Sequence, residues 1–277
     1  MADLDPDHDP ERIAEALLQA LDTGGRVAPI SARNPDFSPT DAARVAAAVA
    51  RRRAARGERP VGRKIGFTNT TIWPLYGVDG PIWGHVFDTT LHDPMPARFA
   101  VAGLAEPRIE PEIVFGLARA PEAGMGEADL LGCVAWVAHG FEIVQSVFPG
   151  WRFTAPDATA AFGLHGALLV GPRLELADAP AHAHDELRAA LGRFSLSLAR
   201  DGVPVDEGHA RNVLGGPLPA LRHLVETLAR EADAPPLRAG EIVTTGTLTD
   251  AHALAPGQMW TTAIEGLALP GLRLEIA

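Results

Sequence analysis

The segment Ile109-Glu110-Pro111-Glu112-Ile113-Val114-Phe115 sets two carboxylates one residue apart inside an apolar run. A strand points alternate side chains to opposite faces. Glu110 and Glu112 therefore aim at one spot, with Ile109, Ile113 and Phe115 on the other face. Pro111 between them predicts a sheet edge or a bulge. A third acid, Glu142, lies in the mostly apolar run Val134 to Val144, which reads as a buried strand. An isolated buried carboxylate is costly and needs a cation, a partner or a proton. Three carboxylates with no cysteine and few histidines nearby favour a hard divalent ion, Mg2+ or Mn2+, over zinc. The alternative is that Glu110 and Glu112 face solvent on an edge strand and Glu142 pairs with an arginine such as Arg108.

The chain has 277 residues, enough for one large domain or two small ones. Apolar residues at 47% and charged residues at 21% exclude a mainly disordered chain, a coiled coil and a collagen-like chain. A net charge of -11 disfavours nucleic-acid and anionic-membrane partners unless the basic residues cluster. They cluster once, at Arg51, Arg52, Arg53, Arg56 and Arg59, which reads as a solvated helix end. The single Cys133 excludes a disulfide framework and a zinc site of paired thiolates. No leader-like or membrane-spanning apolar run is visible, so the cytoplasm is the expected compartment.

Glu11 to Leu21 has helical apolar spacing, and Ser38-Pro39-Thr40-Asp41 predicts the capped start of a second helix reaching Arg56. After Pro60 the texture changes to short apolar runs punctuated by Gly and Pro. Strands are expected over Arg108 to Leu117, Val134 to Val147, Ala167 to Val170, Phe194 to Ala199, Glu241 to Thr247, Met259 to Ala263 and Leu272 to Ile276. One later helix is expected over Leu218 to Arg230. The break near Pro60 divides a helical region, 1–60, from a β-rich domain, 61–277, an α+β arrangement.

Lys64 lies in Gly62-Arg63-Lys64-Ile65-Gly66-Phe67-Thr68-Asn69, between two glycines and beside apolar residues. Partial desolvation would lower its pKa toward the range of general acid–base work. The alternative is a surface lysine on a loop.

Gly62 to Thr68, then Tyr76-Gly77-Val78-Asp79-Gly80-Pro81, Ile109 to Ile113, Phe141-Glu142-Ile143-Val144, Val213 to Leu218 and Ala239 to Leu248 follow in an order and spacing that resemble one family. It is the 2-keto-4-pentenoate hydratase / 2-oxohepta-3-ene-1,7-dioate hydratase / 4-oxalocrotonate decarboxylase family of the fumarylacetoacetate hydrolase superfamily. The resemblance covers nearly the whole chain. It implies the mixed β-roll of the fumarylacetoacetate hydrolase C-terminal type, with the helical N-terminal part packed against it. It implies Glu110, Glu112 and Glu142 as Mg2+ ligands, Lys64 as acid/base, and Phe67, Gly246 and Thr247 at the substrate. It also implies a homo-oligomer, with a related decarboxylase or hydratase as a further partner.

The first activity implied is a Mg2+-dependent hydratase of 2-hydroxy-2,4-dienoates or their 2-oxo-4-enoate tautomers in aromatic catabolism. A 4-oxalocrotonate-type decarboxylase is close behind, because both reactions pass through the same enolate. An acylpyruvate C–C hydrolase and a non-catalytic partner subunit complete the set. Departures bear on this choice. Hydratases of the family often carry an acid just after the proline of the Gly-Val-Asp stretch, where this chain has Ile82. Phe162, Trp73, Trp83 and Trp151 would give an aromatic pocket if they line it. The alternative for each is packing in the core or in an interface. His85 could activate water in a hydrolase, whereas His139 has the opposite strand parity from Glu142 and should point away.

Overall fold

The computed structural model describes residues 9–70, 73–76, 78, 80–177 and 180–277. Residues 1–8, the start in which no leader is expected, lie outside them, as do Gly77 and Asp79 of the Tyr76-to-Pro81 motif.

Helices open the described chain. α1 (Pro10–Thr23) is capped by the Asp9 carboxylate and stopped by Gly24 at φ 63°. A short α2 (Ile30–Arg33) leads to α3 (Pro39–Ala55), which starts at a reciprocal Ser38/Asp41 capping box. The arginine cluster is neutralised locally. Arg51 and Arg52 pair with Glu11, Arg53 with Glu58, Arg56 with Asp22 and Arg59 with Asp88.

The remaining elements are β1 (Pro60–Gly66), α4 (Trp73–Tyr76), β2 (Ile82–Phe87), β3 (Leu91–His92), β4 (Arg98–Phe99) and β5 (Arg108–Leu117), then α5 (Glu127–Leu131), β6 (Val134–Val144), α6 (Ala155–Ala160) and β7 (His165–Glu175). They continue as α7 (Ala181–Leu191), β8 (Ser195–Arg200), β9 (Val203–His209), α8 (Pro217–Arg230), β10 (Ile242–Thr244), β11 (His252–Ala253), β12 (Met259–Glu265) and β13 (Arg273–Ile276). One mixed sheet runs β2-β1-β10-β5-β6-β7-β3, with β11 also on β5; the second runs β4-β13-β12-β8-β9. The arrangement is the expected α+β fold with a curled mixed sheet.

Alternation sorts the side chains of β5 and β6. Ile109, Ile113, Phe115, Val137, Phe141 and Ile143 face the second sheet and α8, burying themselves against Leu198, Trp260, Leu274, Leu221 and Leu224. Burial of each large apolar side chain contributes about 1.5–3 kcal/mol. Val114, Trp136 and Ala138 occupy the opposite face with Leu168 and Val170. The helices α1 and α3 bury Ile13, Leu17, Val45 and Val49 beside Phe87, Phe148, Trp151 and Phe162.

Several expectations are corrected. Pro111 is not on an edge, since β5 lies between β10 and β6. Its carbonyl accepts from Leu248 N–H, in the gap between the β10 and β11 pairings, so its missing N–H faces an interrupted part of the ladder. The strand expected over Glu241 to Thr247 is only Ile242–Thr244. The strand expected to reach Val147 stops at Val144, where Gln145 and Ser146 turn their N–H groups to Leu164 and Ala105. The strands β1 and β2 and helix α7 were not anticipated; Lys64 is on β1, not on a loop.

Candidate metal centre

Register brings the acids together. In the antiparallel β5–β6 ladder Glu110 is directly opposite Glu142, and Glu112 is opposite Gly140. All three side chains emerge on the face that carries Val114 and Ala138 further along. One carboxylate oxygen from each of Glu110, Glu112 and Glu142 lies within 4.8 Å of the others. Glu112 and Glu142 are fully buried and Glu110 is half-buried.

Each buried carboxylate is held by one oxygen and leaves the other without a hydrogen bond. Glu112 Oε2 accepts from the Thr244 hydroxyl and, at 2.7 Å, from Gly246 N–H. Its Oε1 accepts nothing. Glu142 Oε1 meets His165 Nδ1 at 2.8 Å, and His165 Nε2 meets Thr90 Oγ1 at 2.9 Å. Glu142 Oε2 accepts no hydrogen bond and has only the Lys64 ammonium at 3.3 Å. Orphaned buried oxygens are rare because leaving them unsatisfied costs the full desolvation penalty. The unpartnered Glu112 Oε1, and a Glu142 Oε2 met by the Lys64 ammonium alone, in a cluster of three acids fit the donor set of a hard divalent cation, which takes oxygen ligands and tolerates several carboxylates.

Lys64 reaches this face by two steps of register. It pairs with Thr244 across the parallel β1–β10 ladder, and Thr244 pairs with Val114 on β5. Its Nζ donates to Gly163 O at 2.9 Å. That carbonyl belongs to Phe162-Gly163-Leu164, three successive residues with φ of 55°, 61° and 67°. Left-handed Phe and Leu are strained, and such strain persists where surrounding structure holds it. Gly84, opposite Lys64 on β2, lets this turn lie close, because a Cβ there would meet Phe162 O.

The electrostatics differ from expectation at Lys64. Burial alone would lower its pKa, but Glu142, Glu110 and Glu112 outweigh burial and hold the ammonium above its ordinary value. Desolvation and the neighbouring acid Glu142 push Glu110 up to about 7. They push Glu112 well above the usual carboxylate range, with Glu110 adding to the repulsion. Glu142 is also penalised by burial, yet Lys64 and His165 keep it below its ordinary value.

Beside the cluster lies a cavity of about 200 Å³, lined by Lys64, Phe67, Ile82, Arg108, Glu110, Trp151, Phe153, Thr247 and Asp250 among others. Phe67 and Trp151, at φ 57° and 59°, are again left-handed. Phe67 and Thr247 thus face the cavity. Gly246 is not part of its lining: its N–H holds Glu112. Of the four aromatics considered, Trp151 lines the cavity. Trp83 donates to Glu231, Trp73 to the Phe67 carbonyl, and Phe162 packs on Phe87.

No histidine lines the cavity among the described residues. His139 points between the sheets to Glu112 O and Thr262, as its parity required. His85 is opposite Arg63, and burial lowers its pKa to about 3, so it is no candidate base. Arg108 does not pair with Glu142; it stacks on Trp151. Sequence reasoning missed the partners Thr90 and Thr244 and the bond of His165 to Glu142. Thr244 lies inside the Ala239-to-Leu248 motif, but its bond to Glu112 depends on the β10–β5 pairing and left no local signal.

Residues 92–270 match the family model described as fumarylacetoacetate (FAA) hydrolase C-terminal. The chain is 29% identical to a 2-hydroxyhexa-2,4-dienoate hydratase of Comamonas testosteroni, over 93% of this chain and 94% of that protein. It is 32% identical to a 2-keto-4-pentenoate hydratase of Paraburkholderia phymatum, again over 93% and 94%. Its fold matches a 4-oxalocrotonate decarboxylase from Pseudomonas putida G7, solved with magnesium and adipate, at a TM-score of 0.86, with 23% identity and 97% of each chain covered. No helix among the described residues is long and apolar enough to cross a membrane. With the family model spanning most of its length and a relative above 30% identity along nearly all of it, the chain belongs to the fumarylacetoacetate hydrolase C-terminal family.

Proposed function

We propose that the protein is a Mg2+-dependent lyase that hydrates 2-hydroxy-2,4-dienoates through their 2-oxo-4-enoate tautomers. The observation that carries this reading is the convergence of Glu110, Glu112 and Glu142 beside Lys64 and the cavity, with Glu112 Oε1 buried and unpartnered. Glu110, Glu112 and Glu142 would hold the ion, and Mn2+ has the same ligand preferences. When bound, the ion supplies Lewis-acid polarisation of the two oxygens of a 2-oxo acid. Lys64 Nζ, fixed by Gly163 O, gives and takes the proton on substrate carbon as the hydroxydiene and oxo forms interconvert. The acids around Lys64 favour its ammonium state before the ion binds, and a bound cation would offset that stabilisation and ease release of the proton. Phe67, Trp151 and Phe153 exclude water from the hydrocarbon part of the substrate.

Decarboxylation of a 4-oxalocrotonate-type acid is the second reading, favoured by Ile82. This apolar side chain lines the cavity where the resemblance places an acid in many hydratases. That no histidine lines the cavity among the described residues speaks against a water-activating hydrolase. In keeping with this reading, the chain divides into an N-terminal region, 1–60, whose described part (9–60) carries α1 to α3, and a catalytic domain, 61–277, and the protein works in the cytoplasm as a homo-oligomer.

A proton NMR time course with Mg2+-loaded protein, against a metal-free control, tests the assignment. The substrates are 2-hydroxypenta-2,4-dienoate and 4-oxalocrotonate. Metal-dependent growth of 4-hydroxy-2-oxopentanoate from the dienoate is the expected result. Conversion of 4-oxalocrotonate to the dienoate without hydration establishes the decarboxylase instead. No change in either substrate removes both.

A further inference from the structure

Trp151 and Phe153 line the cavity from the segment between β6 and α6. Gly150 and Trp151 are both left-handed there, at φ 66° and 59°. A tryptophan in this conformation is strained, and such strain persists where the surroundings hold it. Glu106, on the approach to β5, supplies the hold. Its carbonyl accepts from Trp151 Nε1 at 3.0 Å, and the two oxygens of its carboxylate accept from Gly150 N–H at 3.2 and 3.1 Å. The neighbouring Ala105 fixes the start of the segment, its carbonyl accepting from Ser146 N–H at 2.9 Å.

Glu106 is itself left-handed, at φ 46°, although it precedes Pro107 and a residue before proline ordinarily takes an extended conformation. Arg26 pairs with its carboxylate at 3.1 Å, but 58% of the arginine side chain is exposed, so the pair adds little stability of its own. The charge matters more where it meets Gly150 N–H, because an amide bonds more strongly to an ionised acceptor. Trp151 in turn carries the Arg108 guanidinium 4.1 Å over its ring and stands 6.2 Å from the Phe153 ring, centre to centre.

We infer that Glu106 is a positioning residue: its carboxylate holds Gly150 and Trp151 in their left-handed turn and so sets the Trp151–Phe153 wall against which the hydrocarbon part of the substrate binds. The hold on Trp151 stands on its own geometry. Its consequence for the substrate rests on the proposed reading of the metal centre, where the 2-oxo acid end belongs. Removing the Glu106 side chain leaves its carbonyl for the indole but takes the partner from Gly150 N–H. The turn then loses part of what offsets its strain, and the ring shifts.

Two measurements on the full-length chain test this. Fluorine NMR of the metal-free protein labelled with fluorotryptophan gives one signal for each of its five tryptophans, and the signal lost in Trp151→Phe identifies Trp151. Glu106→Ala should move or broaden that signal alone. Glu106→Gln, which keeps an oxygen for Gly150 N–H, should leave it nearer its native place. A Trp151 signal that does not move in Glu106→Ala, or five signals that move alike, overturns the assignment. Calorimetry on the Mg2+-loaded chain then compares two non-reacting probes, pyruvate and 2-oxohexanoate, which share the 2-oxo acid end and differ in hydrocarbon length. Each buried methylene is worth about 4-fold in affinity, so the native protein should prefer 2-oxohexanoate by at least about 10-fold. Glu106→Ala should cut that preference to about 3-fold or less, Glu106→Gln should keep most of it, and adding Glu106→Ala to Trp151→Ala should lower it no further. A native preference near one, or a preference that survives Glu106→Ala, overturns the role in binding. If neither probe binds the native protein with Mg2+, the metal-centre reading fails and takes the binding role with it, while the fluorine signal still decides whether Glu106 holds Trp151.

Discussion

Protons and a divalent cation should compete for the same oxygens in this site. Burial and mutual repulsion push Glu110 up to about 7 and Glu112 well above the usual carboxylate range. Folded pKa values raised in this way mean that the metal-free fold binds more protons than the unfolded chain, so the acids cost more stability as pH rises. A bound cation must displace those protons, and its affinity therefore rises with pH. For a group at about 7, protonation alone weakens the apparent affinity about 10-fold between roughly pH 8 and pH 6. Glu112 adds up to a further factor of about 10 per pH unit below its own raised value. Titration calorimetry of Mg2+ in buffers of different ionisation heat reads both the affinity and the protons released. Thermal melting gives a second readout. At a hundred times its dissociation constant, Mg2+ stabilises by about 2.7 kcal/mol, a rise of roughly 5–10 °C for a chain of this size. Glu112→Gln keeps an oxygen for Thr244 and Gly246 N–H but removes the charge. It should lose the Mg2+-induced rise while melting no lower than the native protein without metal near pH 8. An affinity that stays flat across this pH range, or an unchanged affinity in Glu112→Gln, refutes the ligand assignment.

Three further outcomes follow from the same geometry. Lys64→Met removes the proton carrier and should lower turnover about 10²–10⁴-fold, with Mg2+ binding no weaker because a competing cation is gone; full turnover by steady-state assay would sink the acid/base role. His165→Asn releases Glu142 Oε1 from its 2.8 Å partner and should weaken Mg2+ affinity about 10–100-fold, measured by calorimetry, whereas native affinity would make the histidine merely structural. Gly246→Ala places a Cβ against the Thr68 side chain at φ 99° and should pull the amide off Glu112, lowering both melting temperature and Mg2+ affinity; a variant with native values of both would show that Gly246 is not needed as glycine.

The sequence by itself determined what one strand can determine. The two-residue spacing of Glu110 and Glu112 set them on one face, opposite Ile109, Ile113 and Phe115, because alternation is a property of the extended backbone alone. The same rule sent His139 away from Glu142. The Ser38-to-Asp41 cap was legible because a capping box is closed within four residues. The motifs carrying the family resemblance fixed the candidate Lys64 but not its environment, and the lowered pKa expected from desolvation was reversed by three acids from two distant strands.

Only the tertiary structure decided which strands lie side by side. Glu110 meets Glu142 because β5 and β6 pair in that register, and a slip of one residue would turn Glu142 into the apolar core. Lys64 joins them because β10 lies between β1 and β5. The Thr90–His165–Glu142 chain and the stacking of Arg108 on Trp151 join residues with no local relation in sequence. Local alternation and capping act through neighbouring bonds, whereas register is the outcome of burying all the apolar faces at once, and no single segment contains that information.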